Sequence, residues 1–496
     1  SVTNSLGHVA SAQYDYSSGQ KNQTTDGNGF VATITFDGFD RPLQERQPDT
    51  SNPNLLVLAK SYSYGDIPLQ NFVTTTEYLS DTISKASYSY VDGFGRPIQT
   101  RVQAGSSQYS VSDTEYNSEG SIARSSLAYF GSGSSRTGMT SDNSLYTNFQ
   151  YDALGRSILV TTVLGGVSTS FQGLKTEVTD QRGKTKRYFR DAFGQLATVE
   201  EINSGQVYPT SYQYNLLGKL VKVTDALGNV RHFSYDGLGN RLSAQDLHAS
   251  SDTTFGTWLY AYDANNNLTQ VTDAKGQVIN YSYDQLNRLT SEDFAGSAGV
   301  EQAYSYDTCT NGVGLLCQSV NASVTASNLY TPLGEVSREI KIIGGSTFQT
   351  DYSYFRGGQL QSVTQPDLSI IGYIYGTGAV LERVNKTEAG TGLWSDVISA
   401  VTYSPTGEIA TISYADGSQT TNTYDSQKQY RLSNKLTMSG GSRLQDVAYT
   451  YDAVGNITRL ADSSQTKTAK TVDYVYDDLN RLITSQATGV ASGQQT

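Results

Sequence analysis

The chain has 496 residues, with 36 Tyr against 15 Phe, 47 Gly, 2 Met, 2 Trp and 17% charged residues. Tyrosine favours strands and glycine supplies the positive-φ positions of tight turns, so this composition argues for β structure and against a helical bundle or coiled coil. The formal charge of −12, with no run of Lys or Arg, leaves no footprint for phosphate neutralisation and excludes nucleic acid as an expected partner.

Taken in chain order, the sequence is a repeat array. Residues 1–130 read as a divergent strip, in which Phe36-Asp37-Gly-Phe-Asp40-Arg41 and Asp92-Gly-Phe-Gly95-Arg96 are variants of a unit that becomes regular later. The stretch from Phe130 to Gly138, rich in Gly and Ser, reads as a flexible inserted loop, with a domain boundary as the alternative. Residues 131–496 hold the regular array, continuous with the first region and without a sharp boundary. Its copies are Tyr151-Asp152-Ala-Leu-Gly155-Arg156, Tyr235-Asp236-Gly-Leu-Gly239-Asn240, Tyr262-Asp263-Ala-Asn-Asn266-Asn267, Tyr283-Asp284-Gln-Leu-Asn287-Arg288, Tyr451-Asp452-Ala-Val-Gly455-Asn456 and Tyr476-Asp477-Asp-Leu-Asn480-Arg481. Two degenerate copies centre on Asp191 with Gly194 and on Asn215 with Gly218. Between 310 and 440 the copies at Tyr330, Tyr354 and Tyr403 keep a Tyr and a Gly but lose the Asp.

Three residues after the Asp or Asn stands Gly or Asn, the residues that enter the left-handed region most readily. The unit therefore predicts a hairpin loop, a type I turn begun by Asp and closed by a left-handed residue at a G1 bulge. Aromatic residues one and three places before the Asp, such as Tyr260 with Tyr262 and Tyr449 with Tyr451, fall on one face of a strand. A second turn precedes the first by eleven residues at Asp180, Asp225 and Asp273, leaving about seven residues per strand, roughly 23 Å. The result is a long antiparallel meander of hairpins.

Little in the chain points to chemistry. Cys309 and Cys317 flank an Asn311-Gly312 turn that would bring facing strands together, so a hairpin disulfide fits their spacing; two free thiols fit it equally. With three histidines and two cysteines, zinc sites of the cysteine-histidine kind cannot be built. The pairs Asp477–Asp478 and Glu200–Glu201 would point to opposite faces of a strand and cannot act together as acid and base. Each Asp turn supplies one carboxylate where calcium needs six to eight oxygens. His232 occupies a variable strand position. No catalytic residue, metal site or cofactor is assigned, and the chain is not expected to be an enzyme. No stretch reaches the ~18 apolar residues of a membrane helix, so no membrane span is expected in this chain. The start at Ser1, without a secretion signal, reads as a piece of a longer protein.

The recurring Tyr-Asp-x-x-Gly/Asn frame, together with Thr224 to Gly228 and Thr272 to Gly276, resembles the tyrosine-aspartate (YD) repeats of the rearrangement-hotspot (Rhs) family. The same repeats occur in shell-forming components of bacterial Tc toxins and in teneurins. The resemblance implies an all-β fold, a long meander of YD hairpins spiralling into a hollow β-shell, complete or incomplete. It implies a structural role in a secreted or cell-surface polymorphic-toxin-like bacterial protein, enclosing and protecting a toxin cargo. The expected partners are that polypeptide cargo or the remainder of a longer shell protein. Cargo-carrying relatives have a self-cleaving core built around an Asp-Pro step, and this chain contains no Asp-Pro dipeptide. The competing reading, from the teneurin side, is an extracellular adhesion surface that binds glycans on its rows of tyrosine.

Overall fold

The computed structural model describes residues 1–66, 71–465 and 468–489. Among them are 43 β-strands, two single-turn 3-10 helices at Asn143–Leu145 and Ser426–Lys428, and no α-helix. Every strand pairing is antiparallel, and nearly all join neighbours in chain order. The first strand, Val2–Thr3, pairs with Val9–Tyr14 and the last, Leu482–Thr488, with Lys470–Tyr476, so the strip stays open at both ends. Two places branch. The strand Gln108–Tyr116 shares one edge between Ile122–Ser126 and Tyr129–Ser132, and Asn229–Tyr235 shares one between Arg241–Gln245 and His248–Ala249.

Successive turns alternate between the two rims of this strip. All the Tyr-Asp turns lie on one rim, and the turns at Asp180, Asp225 and Asp273 lie on the other. Beside each Tyr-Asp turn the register shifts by one residue: Gln150 faces Leu159 while Tyr151 faces Ser157, and Thr450 faces Arg459 while Tyr451 faces Ile457. The left-handed residue closes the turn itself, as the sequence predicts, but the unpaired residue lies farther along the returning strand, at Ile158 or Thr458. A bulge adds local right-handed twist and bend. Placed at one rim of hairpin after hairpin, it bends the whole strip in one sense.

The bend closes into a spiral. Hydrogen bonds join residues 274 to 309 positions apart, beginning with Ser5 to Gln285 and Asn28 to Val313, passing through Gln47 to Arg356 and Ser110 to Pro405, and ending with Asn203 to Asp477. Both partners advance together along the chain. A sheet folded back on itself would pair ascending with descending numbers; co-ascending pairs require a second coil laid beside the first. The Tyr-Asp rim of the second coil sits on the opposite rim of the first.

A wall of one layer leaves much surface in water. The accessible area is 27374 Å², against roughly 18,000 Å² for a compact monomer of 53.7 kDa. Few side chains are fully buried, and several of these gather where the strip branches: Tyr90, Tyr109, Val111, Leu145 and Tyr146, with the polar Gln99, Arg101 and Asp113.

That cluster corrects the reading of Phe130–Gly138 as a flexible loop. Tyr129–Ser132 is a strand, and the residues after it are pinned from below. Arg101 donates to the carbonyls of Gly133 (3.0 Å) and Ser132 (2.8 Å) and to Thr137 Oγ1 (3.1 Å). Gln99 takes the Thr137 N–H and donates to Asp113, whose other oxygen receives the Thr140 N–H and the Tyr129 hydroxyl. A Cβ on Gly131 would stand 2.9 Å from both Arg101 Nη2 and Val111 Cγ2, so glycine here permits close approach. Replacing Arg101 with Ala strips the donors from two carbonyls inside a closed site and is expected to cost roughly 2–4 kcal/mol. Urea unfolding measures that loss, and faster tryptic cleavage after Arg136 reports release of the pinned segment.

Candidate functional site

The working surface of this chain is the wall itself, and its unit is the Tyr-Asp turn. In each, one carboxylate oxygen accepts two backbone N–H groups: Asp152 takes those of Leu154 (2.9 Å) and Arg156 (3.0 Å), and Asp236 those of Leu238 (2.9 Å) and Asn240 (2.8 Å). The third residue after the Asp is left-handed, with φ of 76° at Gly155, 81° at Gly194, 87° at Gly239, 106° at Gly455 and 66° at Asn266. The second carboxylate oxygen holds the side chain four residues on, by Arg156 Nε at 2.7 Å, Arg288 Nε at 2.8 Å, Asn267 Nδ2 at 2.9 Å and Asn456 Nδ2 at 2.9 Å. This position is visible in the repeat as Arg or Asn, yet its role was not read from the sequence.

The same position ties one hairpin to the next. Arg96 lies 4.3 Å from the ring centroid of Tyr116, and Arg288 4.4 Å from that of Tyr306. Where the residues are Asn, they form a ladder across turns: Asn240 to Asn266, Asn267 to Asn287 and Asn456 to Asn480, at 2.8–2.9 Å. Asn at the left-handed position therefore both tolerates the backbone and accepts from the preceding hairpin.

The tyrosine before the Asp completes the link. Its hydroxyl donates to a carbonyl on the preceding hairpin: Tyr214 to Leu196, Tyr283 to Leu268, Tyr306 to Leu289, Tyr354 to Val336, Tyr403 to Leu381 and Tyr451 to Leu432, at 2.8–3.0 Å. Tyr151 does the same to Ile122. Tyr235, Tyr262 and Tyr476 occupy the equivalent strand ends, half-buried beside Asp236, Asp263 and Asp477. Burial pushes the hydroxyls of Tyr354, Tyr403 and Tyr451 above the usual tyrosine range.

Where the Asp is missing, the turn keeps its frame with reversed polarity. Thr331 Oγ1 accepts the N–H groups of Leu333 and Glu335 at 3.2 Å, and Ser404 Oγ that of Glu408 at 3.2 Å. Glu335 and Glu408 then accept from those hydroxyls, so the charge has moved from the first position to the fifth.

Between the coils lies a polar seam. Arg182 bonds Asn480 at 2.8 Å and approaches Asp452 at 3.6 Å; Lys184 pairs with Asp478 at 2.7 Å; Asn203 bonds Asp477 at 3.3 Å. Arg356 pairs with Asp81 at 2.7 Å while its N–H reaches the Leu79 carbonyl. Asp477 and Asp478, adjacent in sequence, thus meet different partners. Arg182 and Lys184 carry no sequence signal for this task, because their partners lie about one coil away.

Cys309 and Cys317 are joined by a disulfide. A Cβ on Gly312 would stand 2.3 Å and 2.6 Å from the two sulfurs, while Asn311 takes the left-handed conformation at φ 55°. Gly312 therefore makes room for the bridge and leaves the turn's positive φ to Asn311. Among the described residues no group of three or more His, Cys, Asp or Glu is placed to hold a metal ion.

Comparison with known proteins places these features. The RHS Repeat family profile matches residues 214–247 and 262–298. Toxin subunit YenC1 of Yersinia entomophaga is 26% identical over 108 residues, covering 19% of this chain and 11% of its own length. The crystal structure of TcdB2-TccC3 superposes with a TM-score of 0.84 at 17% identity, covering 97% of this chain and 29% of that one. The Photorhabdus luminescens Tc holotoxin pore superposes at 0.81 and 17% identity, covering 97% and 31%. The chain thus has the fold of a part of these larger assemblies.

Two outcomes follow from the turn and the tyrosine link. Tyr451→Phe removes one hydroxyl bond and should cost about 1 kcal/mol, whereas Tyr451→Leu also loses ring packing and should cost roughly 2–3 kcal/mol in urea unfolding. The pH profile should fall at both ends. Hydrogen bonds from Arg156 to Asp152, Arg96 to Asp92 and Asn267 to Asp263 hold these carboxyls below their usual range, and Ser17 takes Asp15 to about 2. Groups with depressed folded values stabilise above the unfolded value near 4 and lose that effect as pH drops through the folded value. The raised tyrosines act oppositely, stabilising below pH ~10 and losing the effect above it. Thermal melts across pH, with tyrosinate absorbance at the alkaline end, check both limbs.

Proposed function

Starting from an Rhs/YD-repeat chain with the fold of the Tc-toxin shells, we propose that this protein is shell wall that encloses and protects a polypeptide cargo, with no catalysis of its own. The observation that carries the reading is the co-ascending seam, in which a single-layer strip is laid coil on coil. A spiral of one layer bounds a volume without filling it, and closing rim on rim removes the gaps through which a protease would reach the contents. The excess of accessible area over a compact chain supports the same reading.

The wall belongs to a secreted or cell-surface protein. The Cys309–Cys317 bridge accords with an oxidising compartment. The relatives are toxin proteins by name, and the chain spans 11% of the curated one and about 30% of the structures it matches. The remainder of a larger shell protein and the cargo are therefore its natural partners. An adhesive or glycan-binding role is disfavoured, because it needs free ring faces and hydroxyls. Repeat hydroxyls here are donated to neighbouring carbonyls, and arginines stack on rings such as Tyr64 and Tyr116. Glu200 and Glu201 are each ion-paired on the sheet, Glu200 with Arg187 and Glu201 with Lys186.

Small-angle X-ray scattering on the chain tests the wall. A compact protein of this length has a radius of gyration of about 23 Å. The expected result is a clearly larger value, with the distance distribution displaced towards long vectors in a monodisperse sample. A value near 23 Å would mean that the sheet packs on itself around a solid core, and enclosure would fall with it.

A further inference from the structure

The turn that joins Gln302–Tyr306 to Leu316–Asn321 departs from the repeat in length. In a regular unit the Asp152 N–H reaches the carbonyl of Arg156, four residues on; that of Asp307 reaches Leu315, eight residues on. With four residues added, the carboxylate no longer organises the loop. One Asp307 oxygen takes the Gly314 N–H at 2.7 Å, near the loop's end, and both oxygens are engaged by Arg288 of the preceding hairpin. The middle of the loop is filled by the Cys309–Cys317 bridge. Cys317 takes the bulge position, skipped between the pairs Ser305–Gln318 and Tyr306–Leu316, and is 3% exposed. Its sulfur accepts the Cys309 N–H at 3.0 Å, and Gly312 is buried against both sulfurs. The bridge does for this loop what the carboxylate does for the four-residue turns.

The same loop reaches the first coil. The Val313 N–H donates to Asn28 Oδ1 at 3.0 Å, and Val313 Cγ1 would stand 2.8 Å from a Cβ on Gly27. The Asn28 side chain is spare for this, because its own turn is closed by other groups. Asp26 accepts the N–H groups of Asn28 and Phe30 at 2.9 and 2.8 Å, and the Gly29 N–H bonds the Asp26 carbonyl. Gly27 is not left-handed, so a side chain is refused there by Val313 and not by the backbone. On its other flank the loop grips the next hairpin, through Asn311 Nδ2 to the Tyr330 carbonyl at 2.8 Å and the Tyr330 N–H to the Thr310 carbonyl at 3.2 Å. Farther along the seam, Asp477 and Asp478 make the coil contact from an ordinary four-residue turn, which needs no bridge.

We infer that this bridge is a redox latch on the contact between coils. Oxidised, it holds the loop that presents Val313 to the Asp26–Gly29 turn; reduced by a dithiol, it frees the loop and the coils part at this place. A thiolate of the dithiol attacks the sulfur of half-buried Cys309, the S–S bond breaks, and Cys317 leaves as a thiolate that takes a proton. The second thiol of the reductant then displaces Cys309 and closes the reductant's own disulfide, so two electrons and two protons pass to the pair. Both sulfurs stand against Gly312, so two separate thiols are seated only by moving the loop backbone that carries Val313. The latch concerns the coil contact alone and stands whether or not a cargo is enclosed.

Hydrogen exchange of the full chain, read by mass spectrometry with and without dithiothreitol, provides the test, and alkylation counts the thiols released. Reduction should raise exchange about tenfold in peptides covering 308–316 and also in those covering 21–36 on the first coil, with those around Lys184 unchanged. Cys309→Ser with Cys317→Ser should show the same pattern without reductant and no response to it. Gly27→Ala should raise exchange over 21–36 with the bridge intact, because a side chain there displaces Val313. Far-UV circular dichroism checks the fold of each variant, and the dithiothreitol comparison decides even where the double variant does not fold. Exchange that rises in 308–316 alone overturns the proposal and makes the bridge a staple of its own hairpin. A pair that dithiothreitol leaves closed in the folded chain overturns it too, as does a reduced chain that loosens along its whole length.

Discussion

A single-layer sheet has no interior, and this constraint governs everything else in the molecule. Each hairpin leans chiefly on its two neighbours along the strip and, where the coils meet, on a polar seam, so few of its stabilising contacts run through a core. Tyrosine suits that geometry better than phenylalanine. Its ring covers apolar area between hairpins while its hydroxyl reaches the carbonyl of the hairpin before, as Tyr283 does to Leu268 and Tyr403 to Leu381. The excess of 36 Tyr over 15 Phe follows from a wall in which nearly every buried face is one ring thick.

The Asp turn fixes where each hairpin begins. One oxygen closes the backbone of the turn, and the other orients an Arg or Asn that reaches the following hairpin, so local geometry and neighbour contact are set by the same carboxylate. The bulge beside it then adds bend at the Tyr-Asp rim, hairpin after hairpin. Tyrosine looks back along the strip and arginine looks forward. A repeat with both carries its own instructions for stacking, and a spiral follows from their accumulation.

Much of this was legible in sequence because it is local. The turn, the left-handed Gly or Asn and the aromatic face all fall within a dozen residues, and the meander follows from their spacing. The spiral was not legible in residues alone, since its pitch sums small bends over some 280 positions, and it entered through family resemblance. Arg182 and Lys184 looked like ordinary surface charges because Asp452 and Asp478 lie in the next coil. The segment after Phe130 was misread for a different reason. Its Gly and Ser content describes a chain free to move, whereas its anchors, Arg101 and Asp113, sit on other strands, where charged residues usually face water.

The degenerate repeats between 310 and 440 fit the same physics. Thr331, Phe355 and Ser404 stand where Asp is expected, and all three turns lie on the rim that meets the first coil. What the first coil offers differs from place to place. Asp49 lines the same inter-coil cavity as Thr331, Phe355 and Arg356, and Arg356 pairs across the seam with Asp81. Farther on, the first coil presents Arg182, Lys184 and Asn203, and there the repeat keeps Asp452 and Asp477. The turn backbone survives each exchange: Thr331 and Ser404 accept in place of Asp, and at Phe355, which has no side-chain acceptor, the bonds from Phe355 N–H to the Gln359 carbonyl and from Gly358 N–H to the Phe355 carbonyl close the turn alone.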